Sequence, residues 1–174
     1  GSLHRPEDYA RRVPVQDYES LKPYIQRMMH GERDVLWPGR VKWFSKSSGT
    51  TSDKSKFIPV PGVNLRQCHL MGSRDAMALF YHRQPDANIL AHSAMVMGGS
   101  WERFAPYPAT MFGDVSAIMI EHLPWVARGN FFPDIATALL PDWEVKLERL
   151  AKAGLSNPNV AMIGGVPTWT VMLF

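Results

Sequence analysis

Six consecutive residues, Ser47-Ser48-Gly49-Thr50-Thr51-Ser52, carry five hydroxyls and a glycine, and Lys54 and Lys56 follow at once. Such a stretch has the chemistry of an anion cradle. Small side chains let backbone N–H groups converge, hydroxyls add donors, and a lysine ammonium offsets charge, with charge-assisted hydrogen bonds contributing about 1.5–3 kcal/mol each. A flexible polar hairpin connection has the same composition, and residue content alone does not separate the two. The stretch is not the GxxxxGK[ST] loop of P-loop ATPases, because Gly49 is its only glycine and no Gly-Lys pair follows.

Other candidates are weaker. Gly98-Gly99-Ser100 lacks the G-x-S-x-G spacing of a nucleophile elbow, although Ser100, Asp114 and His122 supply the three side chains of a hydrolase triad. The six histidines are scattered without ligand spacing, so no metal site is expected from them. Cys68 is the single cysteine, which rules out an intrachain disulfide and favours a reducing, cytoplasmic setting. Gly165 and Val166 in a glycine turn before Pro167, and Thr168 and Trp169 just after it, leave a tight strand-to-helix connection capped by a core tryptophan and a substrate contact both open as readings. The ten methionines fit a core and receive no function.

Positioning these residues requires alternating strands and helices. A proline-led helix over 6–12 and an amphipathic helix over 20–31, capped by Ser20 and stopped by Gly31, precede two β-type runs at 41–45 and 56–60 that bracket the polar loop. Helical spacing over 62–83 is interrupted by Gly72; an apolar strand-like run covers 89–91 and 94–97 and is followed by an irregular segment to Pro108. A buried helix is expected over 113–122, and 142–153 is the clearest amphipathic helix. A strand over 159–163, a glycine turn and a helix beginning at Pro167 close the chain. This order predicts an α/β fold in which a sheet, at least partly parallel, is flanked by helices.

At 174 residues the chain is read as one domain. A net charge of +3 is a mild basic excess that fits a phosphorylated small molecule better than a nucleic acid. Nowhere do about 18 apolar residues run together, so neither membrane span nor membrane partner is expected.

The stretch from Ser47 to Val60 resembles the first ATP motif of the auxin-responsive acyl-acid amido synthetases, the Gretchen Hagen family of adenylate-forming enzymes, with the bacterial branch most similar. Other stretches resemble the same family in order: Val13-Pro14-Val15 with Tyr18, Leu21 to Ile25, Met97 to Ser100, Gly113 to Ile118, Leu123-Pro124 and Gly164 to Trp169. The resemblance implies a ligase that uses ATP and magnesium to activate a carboxylic acid as an acyl-adenylate and passes it to an amine such as an amino acid. A non-catalytic nucleotide- or phosphate-binding module is the alternative, with a serine hydrolase behind it. By resemblance Ser47, Ser48, Gly49, Thr50, Thr51 and Ser52 hold phosphates with Lys56, which also acts in catalysis, while Gly165, Val166, Thr168 and Trp169 contact the acyl group. Many family members have glycine where this chain has Asp53. The family's second and third ATP motifs and its C-terminal lid have no counterpart here, so residues 1–174 are expected to be part of the large N-terminal domain and inactive alone. The apolar run Val171 to Phe174 is then expected to be covered by more of the parent chain or by self-association.

Overall fold

The computed structural model describes residues 5–47 and 55–173. Its principal sheet has four strands in the order β2-β1-β5-β4. These are β1 (Trp43–Lys46), β2 (Phe57–Pro59), β4 (Trp101–Arg103) and β5 (Met111–Gly113). β1 runs parallel to β5 and antiparallel to β2, and β4 is antiparallel to β5. A second sheet pairs β3 (Ser93–Val96) with β6 (Val160–Gly164) in parallel. The mixed α/β architecture therefore matches the expected one.

Alternation along the strands sorts the core into two layers. Phe44 and Phe112 face Ile25, Met28 and Met29 of α2 (Tyr18–Met29), whereas Trp43 joins the opposite cluster of Val60, Leu65 and Ile118. Ile118 belongs to α5 (Val115–Glu121). Leu65 opens a π-helical turn (Leu65–Leu70) between α3 (Gly62–Asn64) and α4 (Met71–Arg83), making one continuous helical stretch that Gly72 does not break. The second sheet packs Met95 and Met97 on Leu150 of α8 (Trp143–Ser156), with Trp169 of α9 (Pro167–Val171) beside them.

Several boundaries differ from the sequence reading. α1 spans Pro6–Arg12 as expected, but α2 is capped by Asp17, whose carboxylate accepts from Ser20 N–H at 2.8 Å; Ser20 already lies in the first turn. Gly31 does adopt a positive φ of 87°, and an added Cβ would strike the Tyr107 ring. Residues 89–91 form a 3-10 turn rather than a strand, and the segment read as irregular contains β4. Two short helices, α6 (Trp125–Arg128) and α7 (Ile135–Ala138), complete the fold.

Candidate active site

The polar loop leaves the sheet through a neck between β1 and β2. Lys46 pairs with Phe57, and one residue on, Ser47 N–H donates to the Lys56 carbonyl at 2.9 Å. Ser48, Gly49, Thr50, Thr51, Ser52 and Asp53 lie outside the described residues. The Lys56 ammonium stands 5.4 Å from the centre of the Tyr18 ring. Tyr18 is fixed there because its hydroxyl accepts from Phe57 N–H at 2.8 Å, tying α2 to the neck.

A cavity of about 330 Å³ opens at this neck. Lys46, Ser47 and Ser55 form one wall; Ser100, Glu102 and Asp114 form the other, over Phe112 and Gly113. It lies at the C-terminal ends of the parallel strands β1 and β5, where loops diverge from an open α/β sheet and ligands characteristically bind. Lys46, absent from the sequence-based candidates, is a cation on this wall, with its ammonium 5.9 Å from the Phe112 ring centre.

The facing turn, Gly98-Gly99-Ser100, is held from three sides. Gly99 N–H donates to Ser116 Oγ at 3.0 Å, Ser100 N–H to Asp114 Oδ2 at 3.1 Å, and Lys146 Nζ to the Gly98 carbonyl at 2.5 Å. A Cβ at Gly99 would collide with the Asp114 carboxylate, so the close approach requires glycine. Lys146 is 2% exposed. Burial disfavours its charged form and lowers its pKa, while the Asp114 carboxylate pulls the other way. Sequence reasoning missed Lys146, yet the signal was present: Trp143, Lys146, Leu147 and Leu150 share one face at helical spacing, and a lysine on that face must find a buried acceptor.

Gly165, Val166, Thr168 and Trp169 gather at the turn between β6 and α9, away from the cavity wall. Trp169 packs against Trp143 with ring centroids 5.1 Å apart, while Gly165, Val166 and Thr168 are exposed. The two regions connect through Met97, whose N–H donates to the Gly164 carbonyl at 2.8 Å immediately before the Gly98–Ser100 turn. The hydrolase triad is not assembled. Asp114 and His122 cap opposite ends of α5, about 12 Å apart at 1.5 Å per residue. Asp114 is engaged with Ser100 N–H, and His122 Nδ1 bonds the Ile118 carbonyl at 2.8 Å.

Residues 1–166 match the GH3 family N-terminal domain. The chain belongs to the GH3 family. Among curated GH3 relatives, the jasmonoyl-L-amino acid synthetase JAR6 of Nicotiana attenuata is 38% identical over 55 residues, covering 31% of this chain and 10% of that protein. Indole-3-acetic acid-amido synthetase GH3.15 of Arabidopsis thaliana is 31% identical over 77 residues, covering 44% of this chain and 13% of its own length. The solved structure of GH3.15 acyl acid amido synthetase superposes with a TM-score of 0.71 at 20% identity, over 97% of this chain and 30% of that one. The fold is thus the GH3 N-terminal fold, and this chain spans about 30% of the solved relative.

Proposed function

We propose that this GH3 chain supplies the phosphate-binding part of an ATP-dependent acyl-acid amido synthetase. The observation that carries the reading is the cavity at the C-terminal ends of β1 and β5, into which the neck of the hydroxyl-rich loop opens. Family membership and the names of the relatives support the same chemistry. Similarity across the first ATP motif supports placement near the bacterial branch.

Ser47, Ser48, Gly49, Thr50, Thr51 and Ser52 bind the β- and γ-phosphates of ATP, with Lys46 and Lys56 supplying positive charge. The Ser100 turn, fixed by Lys146, Ser116 and Asp114, forms the opposite wall. The donor set fits magnesium as well. Such an ion, held largely by substrate phosphates, needs only one or two carboxylates, and Glu102 and Asp114 stand on the cavity wall. It would neutralise phosphate charge as pyrophosphate departs.

In the first step a carboxylate oxygen attacks the α-phosphorus of ATP, forming the acyl-adenylate and expelling pyrophosphate. An amine, such as that of an amino acid, then attacks the activated carbonyl, losing a proton and releasing AMP as the amide forms. Gly165, Val166, Thr168 and Trp169 contact the acyl group. The setting is cytoplasmic. Residues 1–174 alone, spanning 30% of the solved relative, bind phosphate but do not turn over until the remaining nucleotide contacts and lid are supplied.

Carboxylate-dependent exchange of pyrophosphate into ATP, measured in the full-length protein, tests the assignment. Lys56→Ala should slow exchange by about 10² or more, comparable with losing an oxyanion donor. ATP binding without any exchange in the unaltered protein would instead indicate a non-catalytic nucleotide-binding module.

A further inference from the structure

A second cavity, of about 620 Å³, lies at the opposite end of the principal sheet, beside the N-terminal ends of β1 and β5. Arg40, Lys42, Arg66 and His122 line it together with Trp43 and Leu70, and among the described residues no acidic one contributes to the wall. Trp43 on this wall and Lys46 on the phosphate cavity are the first and last residues of β1, about 10 Å apart at 3.3 Å per residue.

The basic groups are uncommitted. Among the described residues, Arg40, Lys42 and Arg66 take part in no salt bridge. Arg40 rests its guanidinium 4.8 Å from the centre of the Tyr107 ring, and its Nε and Nη2 are buried without a hydrogen-bond acceptor among the described residues. Those two donors are closed to solvent and turned to Tyr107, which is not part of the cavity lining, so Arg40 borders the cavity and adds positive charge without offering them to a ligand. His122 commits Nδ1 to the Ile118 carbonyl, which leaves Nε2 available, and its ring packs edge-on to Trp43 at 5.1 Å.

The π turn helps shape the opposite rim. Its i→i+5 pattern, with Met71 N–H reaching back to the Arg66 carbonyl, sets residues five apart over one another. Leu65 and Leu70 consequently face the cavity together, and Arg66 folds back over Gly62, where a Cβ would sit 3.4 Å from its Nη1. The result is an apolar and aromatic floor beneath a cationic rim, in a volume within the range of small-molecule sites.

We propose that this cavity is a second ligand site, taking a small organic anion with a carboxylate or phosphate head on a compact apolar body. The head meets Arg66 and Lys42, and the body lies on Trp43 and Leu70. The site is independent of the phosphate loop and of the reaction assigned to it.

The test uses phenyl phosphate and benzoate as probes, inorganic phosphate as the head alone and benzyl alcohol as the body alone, titrated into the 174-residue chain. Binding is followed by calorimetry and by the NMR shifts of the Trp43 and Trp169 indole N–H groups, each assigned with a Trp→Phe variant. At least one aromatic anion should shift Trp43 and bind more tightly than either half; whichever binds better identifies the preferred head. Arg66→Glu, an exposed substitution, should weaken binding at least about tenfold, the loss expected for one charge-assisted hydrogen bond. Gly49→Val in the phosphate loop should leave the Trp43 response and its half-saturation unchanged, whatever binding it removes at the loop. No shift at Trp43 up to millimolar probe, an equal Trp43-reported affinity in Arg66→Glu, loss of the Trp43 response in Gly49→Val, or a response confined to Trp169 would each overturn the proposal. Absence of pyrophosphate exchange would bear on the reaction and leave this site standing.

Discussion

Lys146 is a lysine almost removed from solvent, with the Gly98 carbonyl as its one hydrogen-bond partner among the described residues. Its folded-state pKa lies below the ordinary 10.5 because desolvation disfavours the ammonium. In the window between the lowered value and 10.5, the unfolded chain binds more protons than the folded one, so this group makes stability rise with pH there. Lys146→Met abolishes that contribution. Urea unfolding at neutral pH and at about pH 10 should show wild type gaining stability relative to the variant as pH rises; a constant difference would mean that the ammonium is solvated. Thr110 offers a contrasting case, fully buried with its hydroxyl unsatisfied among the described residues. Thr110→Val keeps the shape and removes the unpaired group, so its thermal midpoint should equal or exceed that of wild type. A clear drop would indicate a hydrogen bond at that hydroxyl.

Among the elements, α8 sets the site from behind, because the same helix face buries Leu150 in the core and delivers Lys146 to Gly98. Its N-terminus is capped by Asp142, whose carboxylate accepts from Val145 N–H at 3.0 Å. Asp142→Ala should cost about 0.5–2 kcal/mol, and Asp142→Asn should restore most of it because an amide oxygen can make the same cap. Thermal unfolding of the two variants decides this, and equal losses would remove the cap from the account. α8 was legible in the sequence because capping and apolar periodicity agree over four turns. The strands around the loop were legible for a similar reason, with β-type residues on either side of an unmistakably polar run. β4 was not, since its three residues carry no alternation long enough to read and are specified by pairing with β5, where Gly113 lets the Trp101 backbone approach. The α2 cap was misplaced because Asp17 and Ser20 are both good capping residues, and geometry alone gives the role to the carboxylate. At the site, the loop composition and its likeness to the family's ATP motif pointed to the neck. Lys46 and the Lys146–Gly98 contact became visible only when strand register and helix packing brought distant segments together.

At the scale of the whole molecule, the principal sheet is covered by helices on both faces, whereas the second sheet leaves apolar surface in water. Leu155 is 92% exposed, Val171 76% and Met172 62%, beside a depression of about 480 Å³ lined in part by Met95, Leu150, Ile163 and Leu173. Each fully exposed large apolar side chain forgoes roughly 1.5–3 kcal/mol of burial, so contact between such faces is favoured. Among the described residues β6 pairs with β3 alone, which leaves backbone donors and acceptors along its other edge and adds a directional component to any such contact. Residues 1–174 expressed alone should therefore self-associate as concentration rises, giving a light-scattering mass above that of the monomer. Leu155→Lys combined with Met172→Lys replaces two exposed apolar groups that carry little of the core, so the double variant should shift the mass toward the monomer while its thermal midpoint stays within a few degrees. If the unaltered chain remains monomeric throughout, or the double variant associates equally, the apolar face near β6 does not drive assembly. The four-stranded sheet would be unaffected, because its core residues belong to clusters separate from the one behind β6.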